Sequence, residues 1–442
     1  MYFNEKSDRQ LDELISKSNI PNRYFVEIIN ASSIFKDGKN RLCQSLNIII
    51  ENFHILFHFA LIWKNKEFTL NYKLKAINMF ASKSQLQGYT SFLNYSSLRV
   101  SLLRRIIVRS FGNKIGVAIL KNFLTLLFKF KKIWSSNLLD SVDCLLVMHS
   151  AIISPAQDYL IWLAKTKSIK TIAIQENWDN LSSKSFIFQF PDFFATWGEQ
   201  SSVHLKNYHN FKGITFEIGC IRLSEFYNFR RKLLNTRFDL HKLNQNAKKQ
   251  KILFVGSGDG KYDLVNVLEC LRILSKYSKQ LNSRFQIVYR PHPHSPNLRI
   301  NSVNVSNLGS VQVEVPDKFE SNITRVLAVN EASLVVSSFS TMILESSILN
   351  KPCILLNAVY RNSKVSTLEF VNKAAHYEKI GQFKNIYIPG SDEEFLSILQ
   401  SIEPNSAPKI NDSKLLEWFC KDINPSYAID AIIEDILKQT SL

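Results

Sequence analysis

The sequence lacks the features that mark several large classes of proteins. Its six cysteines are widely scattered and form no Cys-x-x-Cys pair, so neither a disulfide framework nor a cysteine zinc site is expected. The polar N-terminus, with mixed charges from Met1 to Arg9, is unlike a secretory signal. Zinc-finger, RNP and helix-turn-helix patterns are missing, which argues against a nucleic-acid partner. We therefore expect a cytoplasmic protein with reduced thiols.

Long uninterrupted hydrophobic runs are also missing. The most apolar early stretch, Leu46 to Trp63, contains Asn47, Glu51 and two histidines, so it predicts a buried or amphipathic helix rather than a membrane span. The two histidines, His54 and His58, are four residues apart and would share one face of that helix. Because the pattern shows no third ligand beside them, no metal is expected here.

Negative charge is missing from one long segment. The chain has a net charge of +17, and residues 68–139 contain twelve lysines and arginines but no aspartate or glutamate. From Arg99 to Lys132 the basic residues interleave with large apolar ones at helical spacing. This pattern is typical of a helix on an anionic membrane surface, and it equally fits a solvated basic face on core helices. Both interpretations stay open.

From about residue 140 onward, short β-rich runs alternate with helical stretches, which is typical of parallel α/β architecture. The predicted strands form two series, separated by a polar basic stretch: 144–148, 171–174, 193–197 and 215–219, then 251–255, 286–289, 311–315, 334–337 and 353–356. A chain of 442 residues is too long for one ordinary core. We therefore expect an α/β fold with two Rossmann-like doubly wound domains facing a cleft, plus an extra, mostly helical basic N-terminal region.

The predicted boundaries follow the shifts in composition. The N-terminal domain is residues 1–229, with a helical basic region (1–140) and an α/β region (141–229). A linker (230–250) leads to the second α/β domain (251–405), and a helical tail (406–442) follows.

Polar groups follow three strands of the second series, at the sheet edge where ligands of parallel sheets bind. A glycine turn, Gly256 to Gly260, follows the first strand, and its amides can approach a phosphate, although a tight turn is the commoner explanation. The second strand ends in Arg290-Pro291-His292-Pro293. The third leads through Ser337 to Thr341 into a helix, where amides and hydroxyls favour an anion or cap the helix. Together they predict a site for an anion such as a nucleotide phosphate.

These motifs carry a family resemblance. The strand ending in Arg-Pro-His-Pro, followed by the run from Val335 to Ile354, resembles the C-terminal donor domain of bacterial GT-B glycosyltransferases. The most similar in style are capsule Kdo transferases, polysialyltransferases and CDP-glycerol glycerophosphotransferases. Phe194-Ala-Thr-Trp-Gly-Glu and the later Glu217-Ile-Gly resemble the end of the acceptor domain in such enzymes. The likeness covers roughly residues 144–356, at motif level.

The resemblance implies the fold and the donor site of such an enzyme. It implies the GT-B arrangement, a nucleotide-sugar donor as co-substrate, and no metal or other cofactor; no Asp-x-Asp metal motif occurs in the chain. Asn350 replaces the glycine of the usual Gly-Lys-Pro turn. Motif and resemblance together give these donor-binding candidates: Gly256, Gly258, Asp259, Arg290, His292, Ser337, Ser338, Ser340, Thr341 and Glu345.

Transfer to a hydroxyl also needs a general base, which such enzymes supply from the first domain. The candidates are Glu176 and Asp179, which flank Trp178 in a loop after a strand, and His149 at the end of the preceding strand. Each of them fits the role of a polar residue that stabilises its loop equally well.

The function expected from the resemblance is metal-independent transfer of a sugar to a surface polysaccharide or lipid-linked glycan, as in capsule or lipopolysaccharide synthesis. The enzyme would work at the inner face of the plasma membrane, docked through the basic segment. Alternatives are a CDP-activated polyol-phosphate transferase, a nucleotide-sugar 2-epimerase, and a non-catalytic sugar- or nucleotide-binding protein. Intact basic and hydroxyl motifs argue against the last.

Overall fold

The structure is a computed structural model. It describes residues 14–18, 41–64, 110–133, 135, 137–149, 155–184, 187–236, 250–256, 271–276, 285–291, 311–315, 321–337, 340–355, 371–402 and 411–440. The helices named below are α1 Arg41–Lys64, α2 Lys114–Lys132, α3 Pro155–Thr166, α4 Glu199–His209, α5 Ile221–Thr236, α6 Asn322–Glu331, α7 Met342–Ile348, α8 Asp392–Ser401, α9 Ser413–Phe419 and α10 Pro425–Thr440. The strands are β1 Cys144–His149, β2 Lys170–Gln175, β3 Phe193–Thr196, β4 Ile214–Glu217, β5 Gln250–Val255, β6 Phe285–Arg290, β7 Val311–Val313, β8 Leu334–Ser337, β9 Cys353–Leu355 and β10 Ile386–Tyr387.

The chain divides into two units. The first unit is residues 1–221 with 423–442, and the second unit is residues 222–422. Each contains a parallel sheet, which confirms the prediction of two parallel α/β domains with a helical N-terminal region.

The sheet of the first unit has the order β1-β2-β3-β4, with every pairing parallel. Strand β2 is buried at every position except Lys170, because helices cover both faces of the sheet. One face packs with α1, α2 and α3, through residues such as Phe128 and Tyr159. Isoleucines of α10, including Ile429 and Ile433, pack with Ile172 of the sheet in a second cluster.

Helices α1 and α2 form the described part of the basic N-terminal region. Asn113 caps α2 by accepting a hydrogen bond from the Gly116 amide at 2.8 Å. Leu120, Leu124 and Phe128 give α2 one buried face, at the spacing expected for an amphipathic helix. Within the described residues, no helix combines the length and the hydropathy that a membrane span requires.

The sheet of the second unit has the order β10-β9-β8-β5-β6-β7, again with parallel pairings throughout. Its central strand β8 reads Leu-Val-Val-Ser and is buried at all four positions. Continuous apolar runs of this kind are typical of parallel strands that are covered on both faces.

The predicted strands agree with the observed ones to within about two residues, but some described elements differ from the sequence pattern. Strand β10 was not predicted, because two residues are too short to give a periodic signal. The helical tail is two helices, with α10 beginning at Pro425, a residue favoured in a first helical turn. Helix α5 extends to Thr236 and so includes the first residues of the predicted linker.

Asn350, just after α7, has φ 54°, the left-handed conformation that favours glycine. This explains why asparagine can replace the glycine of the Gly-Lys-Pro turn, since asparagine tolerates this conformation better than most residues. Its Oδ1 also accepts a hydrogen bond from the Asn411 amide at 3.0 Å.

We expect Asn350→Ala to lower the free energy of unfolding by about 1–2 kcal/mol, because alanine is strained at positive φ and loses this acceptor. Asn350→Gly is the matched control, because it loses the same acceptor but adopts the left-handed conformation without strain. Urea denaturation should rank glycine above alanine by about 1 kcal/mol. An alanine variant as stable as the glycine variant would contradict this account of the turn.

Candidate functional site

The register of the second sheet brings three of the predicted strand ends into one row. Val255 at the end of β5 pairs with Arg290 of β6 on one side and with Ser337 of β8 on the other. Gly256 follows directly, and its amide donates to the Arg290 carbonyl at 3.0 Å. A side chain at Gly256 would meet the buried Tyr289 hydroxyl at 3.1 Å, so a close neighbour already occupies that space. We call this row, with Ser340 and Thr341, the donor edge.

Two hydroxyls of the donor edge are hydrogen-bonded to each other. The Ser337 and Ser340 Oγ atoms lie 2.7 Å apart, and Ser337 is fully buried. Ser340 Oγ also accepts from the Met342 amide at 3.2 Å, so it caps the first turn of α7. Thr341 makes no side-chain capping bond. The helix cap that the sequence allowed for either residue is thus formed by Ser340.

Arg290 is held by an acidic neighbour. Its guanidinium Nη1 donates to Glu314 Oε1 at 3.1 Å, and only 5% of the residue is exposed. Lys251 Nζ lies 3.9 Å from the other oxygen of the same carboxylate. The structure therefore places the charge of Arg290 against Glu314, which fixes the side chain at the end of β6.

Glu345 lies in a buried ion pair. Its Oε2 is 3.2 Å from Arg325 Nε, and only 1% of Glu345 is exposed. The Arg325 guanidinium also lies 5.7 Å from the centre of the Phe226 ring, within the range of a cation–π contact. The pair joins α7 to α6, so Glu345 supports the helix that begins at the donor edge.

Four of the predicted donor residues, Gly258, Asp259, His292 and Ser338, lie outside the described residues. Their roles stay predictions.

At the carboxyl edge of the first sheet, one side chain outside the sequence motifs hydrogen-bonds to the backbone of three other residues. Gln175, at the end of β2, accepts from the Trp197 amide at 3.1 Å and donates to the carbonyls of Asn177 and Trp178 at 2.9 and 3.2 Å. Trp197 Nε1 donates back to the Gln175 carbonyl at 3.0 Å. A glutamine at the end of an apolar strand, three residues before a tryptophan, was the available signal in the sequence.

The three base candidates lie around this network. His149 pairs with Gln175 in register, and its carbonyl accepts from the Glu176 amide at 3.2 Å and from Asn180 Nδ2 at 2.7 Å. Glu176 is 1% exposed, whereas Asp179 is partly exposed. The chain then enters a single π-helical turn, Asn180–Lys184, a distortion that is frequent at functional sites. We call this region the loop edge.

The pKa of His149 makes it a poor candidate for the general base. Burial lowers the pKa of His149 to about 3, and the nearby His209 adds to the shift. The imidazole is therefore neutral at pH 7 and a weak proton acceptor, because an effective base has a pKa near the working pH.

The two edges offer complementary chemistry. The donor edge offers hydroxyl groups, which suit the developing charge of a leaving phosphate. The loop edge offers carboxylates at a strand end, which suit proton abstraction from a hydroxyl group.

Comparison with protein-family models finds no match for this chain. Comparison with curated proteins finds none either.

Comparison with solved structures finds matches at low identity and low TM-score. A UDP-GlcNAc 2-epimerase of Methanocaldococcus jannaschii, in complex with UDP-GlcNAc and UDP, has a TM-score of 0.44 and 12% identity, over 72% of this chain and 82% of that chain. The wall teichoic acid polymerase TagF has a TM-score of 0.38 and 12% identity, over 73% and 99% of the two chains. MurG of Acinetobacter baumannii has a TM-score of 0.35 and 10% identity, over 71% and 79%. At these scores the similarity carries no weight for function, which has to be argued from this chain's own residues.

Proposed function

We propose that this protein is a GT-B glycosyltransferase that moves a sugar from a nucleotide donor to a surface-polysaccharide or lipid-linked glycan acceptor. The observation that carries the proposal is the shared row of the donor edge, where Arg290, Val255 and Ser337 are in register. Three separate sequence motifs thereby meet at the carboxyl edge of one parallel sheet, which is where such sheets bind ligands.

The polar residues of the donor edge, together with His292, then have separate roles. His292 and the Thr341 hydroxyl group contact the donor phosphates, and Ser337 with Ser340 fixes the start of α7. Arg290, paired with Glu314, orients the loop that follows β6 instead of reaching the ligand through its Nη1 atom. These groups stabilise the negative charge that the nucleotide phosphate gains as its bond to the sugar breaks.

Asp179 is the base that we propose for the acceptor hydroxyl. It is more exposed than Glu176, so a substrate can reach it, and His149 is too weakly basic at neutral pH. Glu176, buried beside the Gln175 network, supports the loop that carries Asp179.

Product analysis tests the reaction type. The protein is incubated with UDP-GlcNAc or with CDP-glycerol, and a membrane extract is added as acceptor. A transferase releases nucleotide only when the acceptor is present. An epimerase instead changes the sugar of the nucleotide donor without acceptor, which NMR detects, and that result would contradict the proposal.

We also propose that α2 docks the enzyme on an anionic membrane. Beside its buried face, α2 and the residue that follows it expose an apolar stripe at helical spacing: Ile115, Ile119, Leu126, Phe130 and Ile133. Lys114, Lys121 and Lys129 are exposed on the same helix, which has no acidic residue. Apolar groups beside lysines fit a surface of anionic lipid, where each basic residue contributes about 1 kcal/mol.

Sedimentation with vesicles of phosphatidylcholine and phosphatidylglycerol tests this docking. We expect binding at low salt, release at high salt, and about tenfold weaker binding for the double variant Ile119→Gln/Phe130→Gln. Ile214→Gln is the matched control, because Ile214 is a similarly exposed isoleucine on β4 of the same unit. A protein that stays in the supernatant at low salt, or a double variant that binds like wild type, would overturn the proposal.

A further inference from the structure

Three buried side chains of the first unit converge on one point. His54 and His58 lie one turn apart on α1, and Asp158 lies in the first turn of α3. Their exposed fractions are 0%, 2% and 9%. Each offers one ligand atom, and the three atoms lie within 4.8 Å of one another. Asp158 is the third ligand that the sequence pattern did not reveal, because it is 100 residues away from His58 in the chain.

The distances within this group are close to those of a metal centre. His54 Nε2 lies 2.5 Å and His58 Nε2 lies 4.0 Å from the same oxygen, Asp158 Oδ2. The longer distance is too great for a hydrogen bond. Tetrahedral ligands at about 2.1 Å from a zinc ion are about 3.4 Å apart, a value between the two observed distances. Small side-chain rotations would bring both imidazoles to that separation.

The surroundings also suit a metal ion. The second oxygen of Asp158, Oδ1, accepts from the Gln189 amide at 3.0 Å, which leaves Oδ2 directed at the histidines. Aromatic rings shield the histidines: Phe188 lies 6.1 Å from the His54 ring and Phe57 lies 5.8 Å from the His58 ring, both edge-on. An ion pair between Asp158 and His54 alone would give no reason for a second imidazole to face the same oxygen.

We propose that His54, His58 and Asp158 bind one Zn²⁺ ion. Two imidazole nitrogens and one carboxylate oxygen are ligands that zinc prefers, and three protein ligands leave a fourth position for a water molecule. The ion would join α1 to α3, and thus hold the basic helical region against the sheet of the first unit. This proposal does not depend on the proposed transferase activity.

Metal content tests the site. The full chain is purified through a tag without histidine, incubated with zinc, dialysed and analysed by mass spectrometry for metals. We expect one zinc per chain in wild type, and binding weaker by more than about 100-fold in Asp158→Asn and His58→Gln. His204→Gln is the matched control, because His204 is a buried histidine of the same unit on α4. Circular dichroism checks that each variant is folded.

Cobalt provides a second measurement that needs no variant. In the zinc-free wild-type protein, Co²⁺ bound to two imidazoles and a carboxylate at low coordination number should give strong visible absorption, and added zinc should remove it. Wild-type protein that retains no zinc and gives no such absorption would overturn the proposal. So would zinc binding that Asp158→Asn leaves unchanged, or binding that His204→Gln weakens as much as His58→Gln does.

Discussion

Acidification from pH 7 to pH 5 is expected to lower the free energy of unfolding of the first unit, and His149 and His209 together account for about 4 kcal/mol of that loss. His149 is partly exposed at the end of β1, and His209 is buried. Burial lowers the pKa of His149 to about 3 and that of His209 to about 4. Both are therefore neutral in the folded protein throughout this range, whereas in the unfolded chain they become protonated below about pH 6.5.

The direction follows from the protons bound in each state. Between pH 4 and pH 6.5 the unfolded chain binds more protons at these histidines, so stability falls as the pH falls. Each histidine contributes about 2 kcal/mol at pH 5. His209 also holds the π-helical turn: its Nε2 donates to the Leu181 carbonyl at 2.7 Å, and its Nδ1 accepts from the Ile187 amide at 3.4 Å. Protonation of Nδ1 would remove that acceptor.

Urea denaturation at pH 5, 6 and 7, followed by tryptophan fluorescence, measures the effect. Five of the six tryptophans lie in the first unit, and Trp418 is the exception, so the signal reports mainly on that unit. In His149→Gln the difference in unfolding free energy between pH 7 and pH 5 should shrink by about 2 kcal/mol. A stability that does not change between these pH values would show that the histidines are protonated or exposed in the folded state.

Replacement of His292 by alanine is expected to lower the rate of donor turnover by about 100- to 1,000-fold without unfolding the protein. In the sequence, His292 comes two residues after the last residue of β6, Arg290. Removal of one preorganised hydrogen-bond donor to a developing charge typically has an effect of this size.

The same loop supplies the control for this variant. His294→Ala removes a second histidine two residues later, after Pro293, and should leave turnover within about threefold of wild type. Nucleotide release from the donor, separated by chromatography, gives both rates. Equal losses in the two variants would indicate a general effect on the loop, and an unaffected His292→Ala would remove His292 from the site.

Much of the fold could be predicted, because parallel strands that are covered on both faces give strong local signals. The apolar runs that became β1, β5 and β8 ended where the pattern indicated, and their polar ends then met at common sheet edges. Alternation of such strands with helices predicts the parallel sheets without any knowledge of strand order.

Contacts between distant residues could not be predicted in this way. The partner of Arg290 is Glu314, which becomes a neighbour only once β7 is placed beside β6. Asp158 reads as an ordinary helix residue until α1 packs on α3. Glu345 fits the family pattern, yet the structure shows its carboxylate paired with Arg325. Local propensity describes each segment, whereas these pairings depend on register and packing.

Nucleotide binding is the measurement that tests the central claim most directly. Thermal unfolding of the wild-type protein is followed with CMP, CDP, UDP, GDP or dTDP in turn, since a ligand that binds the folded state raises its apparent stability. The account predicts that one nucleotide raises the unfolding temperature selectively, and that the rise is lost in His292→Ala but kept in His294→Ala. The absence of a shift with all five nucleotides, or an equal shift in His292→Ala, would contradict a donor site at this sheet edge.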